Sequence, residues 1–155
     1  VSPDATFRVQ QLLPGDLPLM RGMLSMFSEA FEDPDSYDKK RPRDDYLNKL
    51  LARDTFIALA ARQGDEVIGG LAAYELHKFE QERSEIYIYD LAVAAAHRRR
   101  GIATALIEAL RVIAKGRGAY VVYVQADYVD PPAIALYTKL GTREEVLHFD
   151  IAVTD

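Results

Sequence analysis

Cysteine is missing from the 155 residues, which excludes disulfides, thiolate metal sites and a cysteine nucleophile. Histidine is sparse: His77, His97 and His148 stand far apart, without metal-ligand spacing, so no metal is expected. No apolar run approaches the ~20 residues needed to span a bilayer, and no signal peptide is visible. A cytoplasmic protein with no membrane partner is therefore expected. Repeats and low-complexity stretches are absent. Positive charge is in deficit: 19 basic against 24 acidic residues leave a net charge of −5. That argues against nucleic acid as the main partner, which demands a basic face. The remainder is ordinary, 49% apolar and 28% charged, and fits one folded α/β domain over residues 1–155 with a mixed central sheet.

The organising stretch runs from Glu85 to Lys115. An apolar run, Ile86 to Val93, suits a strand. A short Ala-rich turn leads to Arg98, Arg99 and Arg100, and Gly101-Ile102-Ala103 opens a helix. In that helix Ile102, Leu106, Ala109, Leu110 and Ile113 recur at spacings of three and four. The first N–H groups of a helix lack intrahelical partners, and the macrodipole adds positive potential there. Strand, basic turn, glycine and helix start together form an anion-binding device that a phosphate can approach closely. A solvated turn is the plainer alternative.

Charge is unevenly placed. Arg98 to Arg100 with Lys115 and Arg117 form a basic group, whereas Glu80, Glu82, Glu85 and Asp90 meet only Arg83. Near the C-terminus Glu144, Glu145 and Asp150 meet only Arg143. One anionic and one cationic ligand would explain the division, and so would random surface variation.

In chain order, Thr6 to Leu12 reads as a strand and Leu17 to Phe31 as a helix with Leu24, Phe27 and Phe31 on one face. Residues 32–45 are a polar loop, a lid or a plain surface connection. Asp44 to Ala52 is a short helix. Thr55 to Ala61 and Val67 to Leu76 form a hairpin about Gln63-Gly64-Asp65-Glu66. After the central helix, stopped by Gly116 and Gly118, Ala119 to Ala126 reads as a strand buried on both faces. Its spacing implies a parallel, right-handed crossover. Asp130 caps a further helix with Pro131 at its first position, Gly141 ends it, and Glu145 to Val153 reads as a last strand.

Asp90 is the most informative residue. It alternates with Ile86 and Ile88 in an apolar strand, and a buried carboxylate there is costly. Burial raises a carboxylate pKa toward the range of a general base; pairing with a nearby arginine is the alternative. Glu85 is the second candidate base, but its parity differs from that of Asp90, so without a bulge the two face opposite sides. Tyr137, between Ile134 and Leu140, is at face value a core residue with its hydroxyl at the rim.

Arg98-x-x-Gly101-x-Ala103 resembles the Arg/Gln-x-x-Gly-x-Gly/Ala signature of GNAT-superfamily N-acetyltransferases. DPPAIALYTKLG, from Asp130 to Gly141, is similar to their Asn-x-x-Ala-x-x-Leu-Tyr-x-x-x-Gly pattern, with aspartate for asparagine. YDLAV with HRRRGIATAL, and QADY with ALYTKLG, resemble the gentamicin- and fortimicin-modifying aminoglycoside 3-N-acetyltransferases, the likeness running from Asp45 to Ile151.

The resemblance implies a GNAT fold, helices flanking a mixed sheet. It also implies acetyl transfer from acetyl-coenzyme A to the 3-amino group of a 2-deoxystreptamine ring, by direct attack in a ternary complex. It places coenzyme contacts on Leu91, Ala92, Val93, Arg98, Arg99, Arg100, Gly101, Ile102, Ala103 and Thr104. On the later helix it adds Asp130, Ala133, Leu136, Tyr137 and Lys139. It makes Asp90 or Glu85 the base and Tyr137 the acid that protonates the coenzyme sulfur. A strand bulge is implied that frees N–H and C=O groups near Leu91 to Val93 for the pantetheine arm and the oxyanion. Carboxylates for a polycationic aminoglycoside are Glu82, Glu85, Asp90, Asp127 and Asp150. Family members are often dimers, so a homodimer is expected. Another amine acceptor, such as a polyamine or a protein N-terminus, and a non-catalytic acetyl-coenzyme A sensor stay open.

Overall fold

The computed structural model describes residues 6–33, 35 and 41–154. Residues 34 and 36–40 of the 32–45 loop, and with them the question of a lid, lie outside the described residues. The chain divides into two compact units, residues 1–125 and 126–155.

The first unit is built on five strands in the order β1-β2-β3-β4-β5. These are β1 (Arg8–Gln11), β2 (Phe56–Gln63), β3 (Glu66–His77), β4 (Ser84–Val93) and β5 (Ala119–Val124). β1 to β4 are antiparallel, and β5 joins β4 in parallel. That parallel pair is what the strand–helix–strand spacing through α3 (Ile102–Arg117) predicts. The hairpin turn tightens to Gly64 and Asp65, with Gly64 at φ +61°.

Each sheet face has its own helices. Ile57, Leu59, Leu71, Ala73, Ile86 and Ile88 are buried, and α3 lies on their side through Ile102, Leu106 and Leu110. A Cβ at Gly69 would come within 2.8 Å of Ile102, so glycine lets the helix seat closely. The other face carries Phe56, Ala58, Ala60, Gly70 and Ala72, packed with α1 (Leu17–Ala30) and α2 (Asp44–Leu51). A Cβ at Gly70 would stand 2.6 Å from Met23. The buried stripe of α1 is Met20, Met23, Met26 and Phe27; Leu24 is half-buried and Phe31 exposed, which corrects the expected face.

Two further corrections concern element ends. Gly116 lies inside α3, and Gly118, left-handed at φ +74°, caps it. β5 stops at Val124, and instead of being buried on both faces it is half-buried with Tyr120 and Val121 exposed, because it is the last strand of the sheet.

The second unit contains α4 (Pro131–Leu140). The Asp130 side chain accepts from the Ala133 N–H at 3.3 Å and Pro131 follows, as predicted. Glu145 to Val153 forms no strand. Leu147, Phe149, Ile151 and Val153 alternate as a strand requires, but among the described residues they join no ladder. Among the described residues no helix is long and apolar enough to cross a membrane.

Candidate active site

The site grows from a defect in β4. Ala72 of β3 pairs with Asp90, but Ala73 pairs with Ile88, so Tyr89 is an extra residue. Such a bulge reverses the parity of everything after it. Opposite Ala72, Tyr74 and Leu76, which share one face, stand Asp90, Tyr87 and Glu85. The two candidate bases therefore share a face, and Asp90 is half-buried on the side away from Ile86 and Ile88. Simple alternation, which puts Asp90 with Ile86 and Ile88, is corrected by this single insertion, and the bulge that the resemblance implies for this strand is present at Tyr89.

The bulge also opens the strand edge. β5 follows β4 only as far as Ile88 opposite Val124. Among the described residues, Asp90 to Val93 have a strand partner on the β3 side alone. An extended ligand rich in amides can use such an edge as another strand would.

Past Val93 the chain makes a short 3₁₀ turn, Ala95–His97, and reaches the three arginines. Arg99 has φ +63° and Gly101 φ +77°, so the turn enters left-handed space twice before α3 begins. The first helical bond there is from Ala105 N–H to Gly101 C=O, 3.0 Å. The N–H groups of Ile102, Ala103 and Thr104 precede it, and no side chain caps the helix. A Cβ at Gly101 would meet nothing within 4 Å. This open, uncapped start suits an anion.

The arginines differ in role. Arg98 Nε donates to Val93 C=O at 3.3 Å. Arg100 donates to Gln63 at 3.2 Å, lies 2.6 Å from His97 Nδ1, and approaches the Phe7 ring at 5.9 Å, so it braces the turn against the hairpin. Lys115 and Arg117 sit at the far end of α3, roughly 20 Å along a helix of this length. They do not extend the basic group at its start.

The open β4 edge, the uncapped helix start and the sheet order are those of a known family, whose profile, described as "Acetyltransferase (GNAT) family", matches residues 20–142. The chain belongs to the GNAT acetyltransferase family. It superposes with a TM-score of 0.94 and 63% identity on a crystal structure of an aminoglycoside acetyltransferase from an uncultured soil metagenomic sample, covering 96% of this chain and 99% of that one. Another soil metagenomic aminoglycoside acetyltransferase, solved with sisomicin, gives a TM-score of 0.90 at 30% identity, covering 99% of this chain and 100% of that one. Streptothricin acetyltransferase of Streptomyces lavendulae is 28% identical over 88% of this chain and 82% of its own length. The chain also matches three curated N-acetyltransferases of Rattus norvegicus, and spans 40%, 38% and 39% of their length.

GNAT acetyltransferases take their acetyl group from acetyl-coenzyme A. The residues fit its chemistry: open N–H groups at the start of α3 for phosphate, and a strand edge at Leu91 to Val93 for pantetheine amides. Leu91, Ala92 and Val93 lie on that edge, and Arg98 to Thr104 form the turn and helix start. Asp130, Ala133, Leu136, Tyr137 and Lys139 lie together on α4 and its cap in the second unit. There burial, with Asp130 adding negative charge, pushes the Tyr137 hydroxyl above its usual pKa of 10.0.

The expected substrate carboxylates are divided between the two units. Glu85 accepts from the Tyr120 hydroxyl at 2.9 Å. Glu82 is exposed on the connection before β4. Asp127 and Asp150 belong to the second unit, where His148 Nε2 lies 2.8 Å from Asp150 Oδ1.

Sequence reasoning missed two features of this GNAT chain. Glu75, 7% exposed, accepts from Ser84 Oγ at 2.6 Å and from Arg117 Nη1 at 2.7 Å. Arg117 also donates to Asp54 C=O, so the end of α3 is pinned to the sheet. Burial alone would raise the Glu75 pKa, but these hydrogen bonds and the guanidinium charge outweigh it and hold the carboxyl below its usual 4.5. The second is a row of aromatic rings on the Asp90 face. Phe56, Tyr74, Tyr87 and Tyr123 are successive register partners across β2, β3, β4 and β5. Each of the four strands carries at least one aromatic residue, but only the register aligns them.

Proposed function

We propose that this chain is an aminoglycoside 3-N-acetyltransferase that uses acetyl-coenzyme A. The observation that carries the reading is the bulge at Tyr89, which turns Asp90 and Glu85 to one face beside an opened strand edge. The aminoglycoside class is supported by the 63%-identical aminoglycoside acetyltransferase and by the sisomicin-bound relative. The 3-amino position rests on the resemblance of the Asp45 to Ile151 segments alone.

Bound acetyl-coenzyme A supplies an activated thioester. Arg98 and Arg99, with the N–H groups of Gly101 to Thr104, would hold its diphosphate, and Leu91 to Val93 its pantetheine arm. Asp130, Ala133, Leu136 and Lys139 line the same ligand in this reading. Asp90 takes a proton from the acceptor ammonium, directly or through a water, leaving a neutral amine able to attack. A backbone N–H near Leu91 to Val93 steadies the negative charge that develops on the acyl oxygen. The Tyr137 hydroxyl, its pKa raised by burial, would donate to the departing sulfur once the carbon–nitrogen bond has formed and the carbon–sulfur bond breaks, and the surplus proton on the nitrogen would pass to solvent. Glu85, Glu82, Asp127 and Asp150 attract the remaining ammonium groups.

The test is acetylation of gentamicin, with coenzyme release as readout and the modified nitrogen located by NMR. Acetylation at the 3-amino nitrogen is the expected result. Another nitrogen would correct the position, and turnover of polyamines without gentamicin would replace the substrate class.

A further inference from the structure

One rung of the sheet is aromatic from β2 to β5: Phe56, Tyr74, Tyr87 and Tyr123 stand in register on one face. The rings touch in sequence. Phe56 and Tyr74 lie 5.4 Å apart and tilted at 58°, and Tyr87 stacks on Tyr123 at 4.7 Å and 11°. The bulged residue, Tyr89, fills the step between them, edge-on to Tyr74 at 6.0 Å and to Tyr87 at 5.7 Å. Phe56 is buried in the core, so the rest of the row, from β3 to β5, spans two strand spacings, roughly 10 Å. Tyr74 and Tyr89 remain 36% and 65% exposed, which is unusual for so many rings in mutual contact.

Charge flanks the row along the strands. Asp90 stands on the rung to one side and Glu85 on the rung to the other, each roughly 7 Å from the aromatic rung. Negative surroundings and burial together raise the tyrosine pKa values: burial then Tyr46, Asp90 and Tyr89 for Tyr74; burial then Tyr89 and Asp90 for Tyr87; and burial, then chiefly Glu85, for Tyr123. The rings thus stay neutral, with electron-rich faces set in a negative field. The protein already uses this chemistry at the platform's margin. Arg83 lies over the Tyr120 ring at 3.8 Å, while the Tyr120 hydroxyl donates to Glu85.

We propose that the Tyr74–Tyr89–Tyr87–Tyr123 row, backed by the buried Phe56, is the specificity platform for the acceptor, on which ammonium-bearing sugar rings are held by cation–π contact between Asp90 and Glu85. The inference deepens the aminoglycoside reading and rests on it for the identity of the acceptor. It assigns selection of the polycation to ring faces, with carboxylates only at the two borders. An acceptor lacking ammonium groups gains little on such a surface, which explains why exposed tyrosines, rather than a purely acidic cleft, face Asp90.

The test uses Tyr89→Leu and Tyr74→Leu beside Tyr89→Phe and Tyr74→Phe, with sisomicin and its fully N-acetylated, uncharged derivative as probes. Steady-state kinetics are paired with tyrosine fluorescence titrations without coenzyme, which report binding independently of turnover because the chain has no tryptophan. Loss of one ring face is expected to weaken sisomicin about 3- to 30-fold. The Phe variants should stay within about 2-fold of the parent, the KM for acetyl-coenzyme A should not move, and the uncharged derivative should bind weakly to every variant. Unchanged sisomicin binding in both Leu variants overturns the platform, and so does a lowered melting temperature with binding intact, which would make the row packing. Turnover of sisomicin with unaltered KM in the Leu variants defeats the platform alone. Ring-dependent binding without acetylation defeats the aminoglycoside reading alone, and an absence of both defeats the two together.

Discussion

Two glycines on one helix separate a role in ligand binding from a role in folding. Gly101 begins α3 at φ +77° and Gly118 ends it at φ +74°, and a Cβ at either would meet nothing within 4 Å. Alanine at each position suffers only the left-handed backbone penalty, about 1–2 kcal/mol. Both variants should therefore melt about 2–8 °C lower than the parent protein. They part at the ligand. The methyl group at residue 101 stands where a diphosphate would approach the N–H groups of Ile102 to Thr104. Displacing one charge-assisted hydrogen bond there should raise the KM for acetyl-coenzyme A about ten- to a hundredfold. Gly118→Ala should leave that KM unchanged. Calorimetric melting and coenzyme saturation curves on the two variants suffice. Equal KM values in the face of equal losses of stability would refute the placement of the diphosphate at the start of α3.

Asp90→Asn should lower kcat roughly 10²-fold with little change in coenzyme KM, and a normal rate would remove Asp90 as the base. Tyr137→Phe should slow the chemical step while leaving coenzyme affinity in place; a large loss of binding would instead mark it as packing. Because the Tyr137 pKa lies above 10.0, its deprotonation should not limit kcat at any pH below about 10, and a kcat–pH profile checks this. Glu75 has a folded pKa below its usual 4.5, so its contribution is full above that value and is lost as pH falls through the folded pKa. Glu75→Gln should cost on the order of 2 kcal/mol at pH 7 and flatten the acid limb of stability, as read by denaturation at several pH values.

Local signals carried far in this chain. The strand, basic turn and helix from Ile86 onward were legible because apolar period, glycine placement and helix-start chemistry agree over adjacent residues. The Asp130 cap was legible for the same reason. What lay hidden depends on contacts between distant residues. The Tyr89 bulge carries no glycine or proline to mark it, so simple alternation put Asp90 with the isoleucines, and only the family resemblance implied a bulge in this strand. Glu75 and Arg117 lie 42 residues apart, and no local pattern joins a mid-strand glutamate to the last residue of a helix. The aromatic row exists only once four strands are in register. Conversely, Leu147 to Val153 alternates well, yet periodicity cannot supply a neighbour, and the segment forms no strand.

The sheet is a partition wall as much as a scaffold. α3, which brings the arginine turn, is seated on one side of it, while the tyrosine row and its bordering carboxylates occupy the other. On the proposed platform, changes at residues 74, 87, 89 or 123 would reshape what is accepted without disturbing the helix proposed to anchor the donor. An acetyltransferase built this way could widen or shift its range of acceptors by drift on one surface, its donor machinery inherited intact.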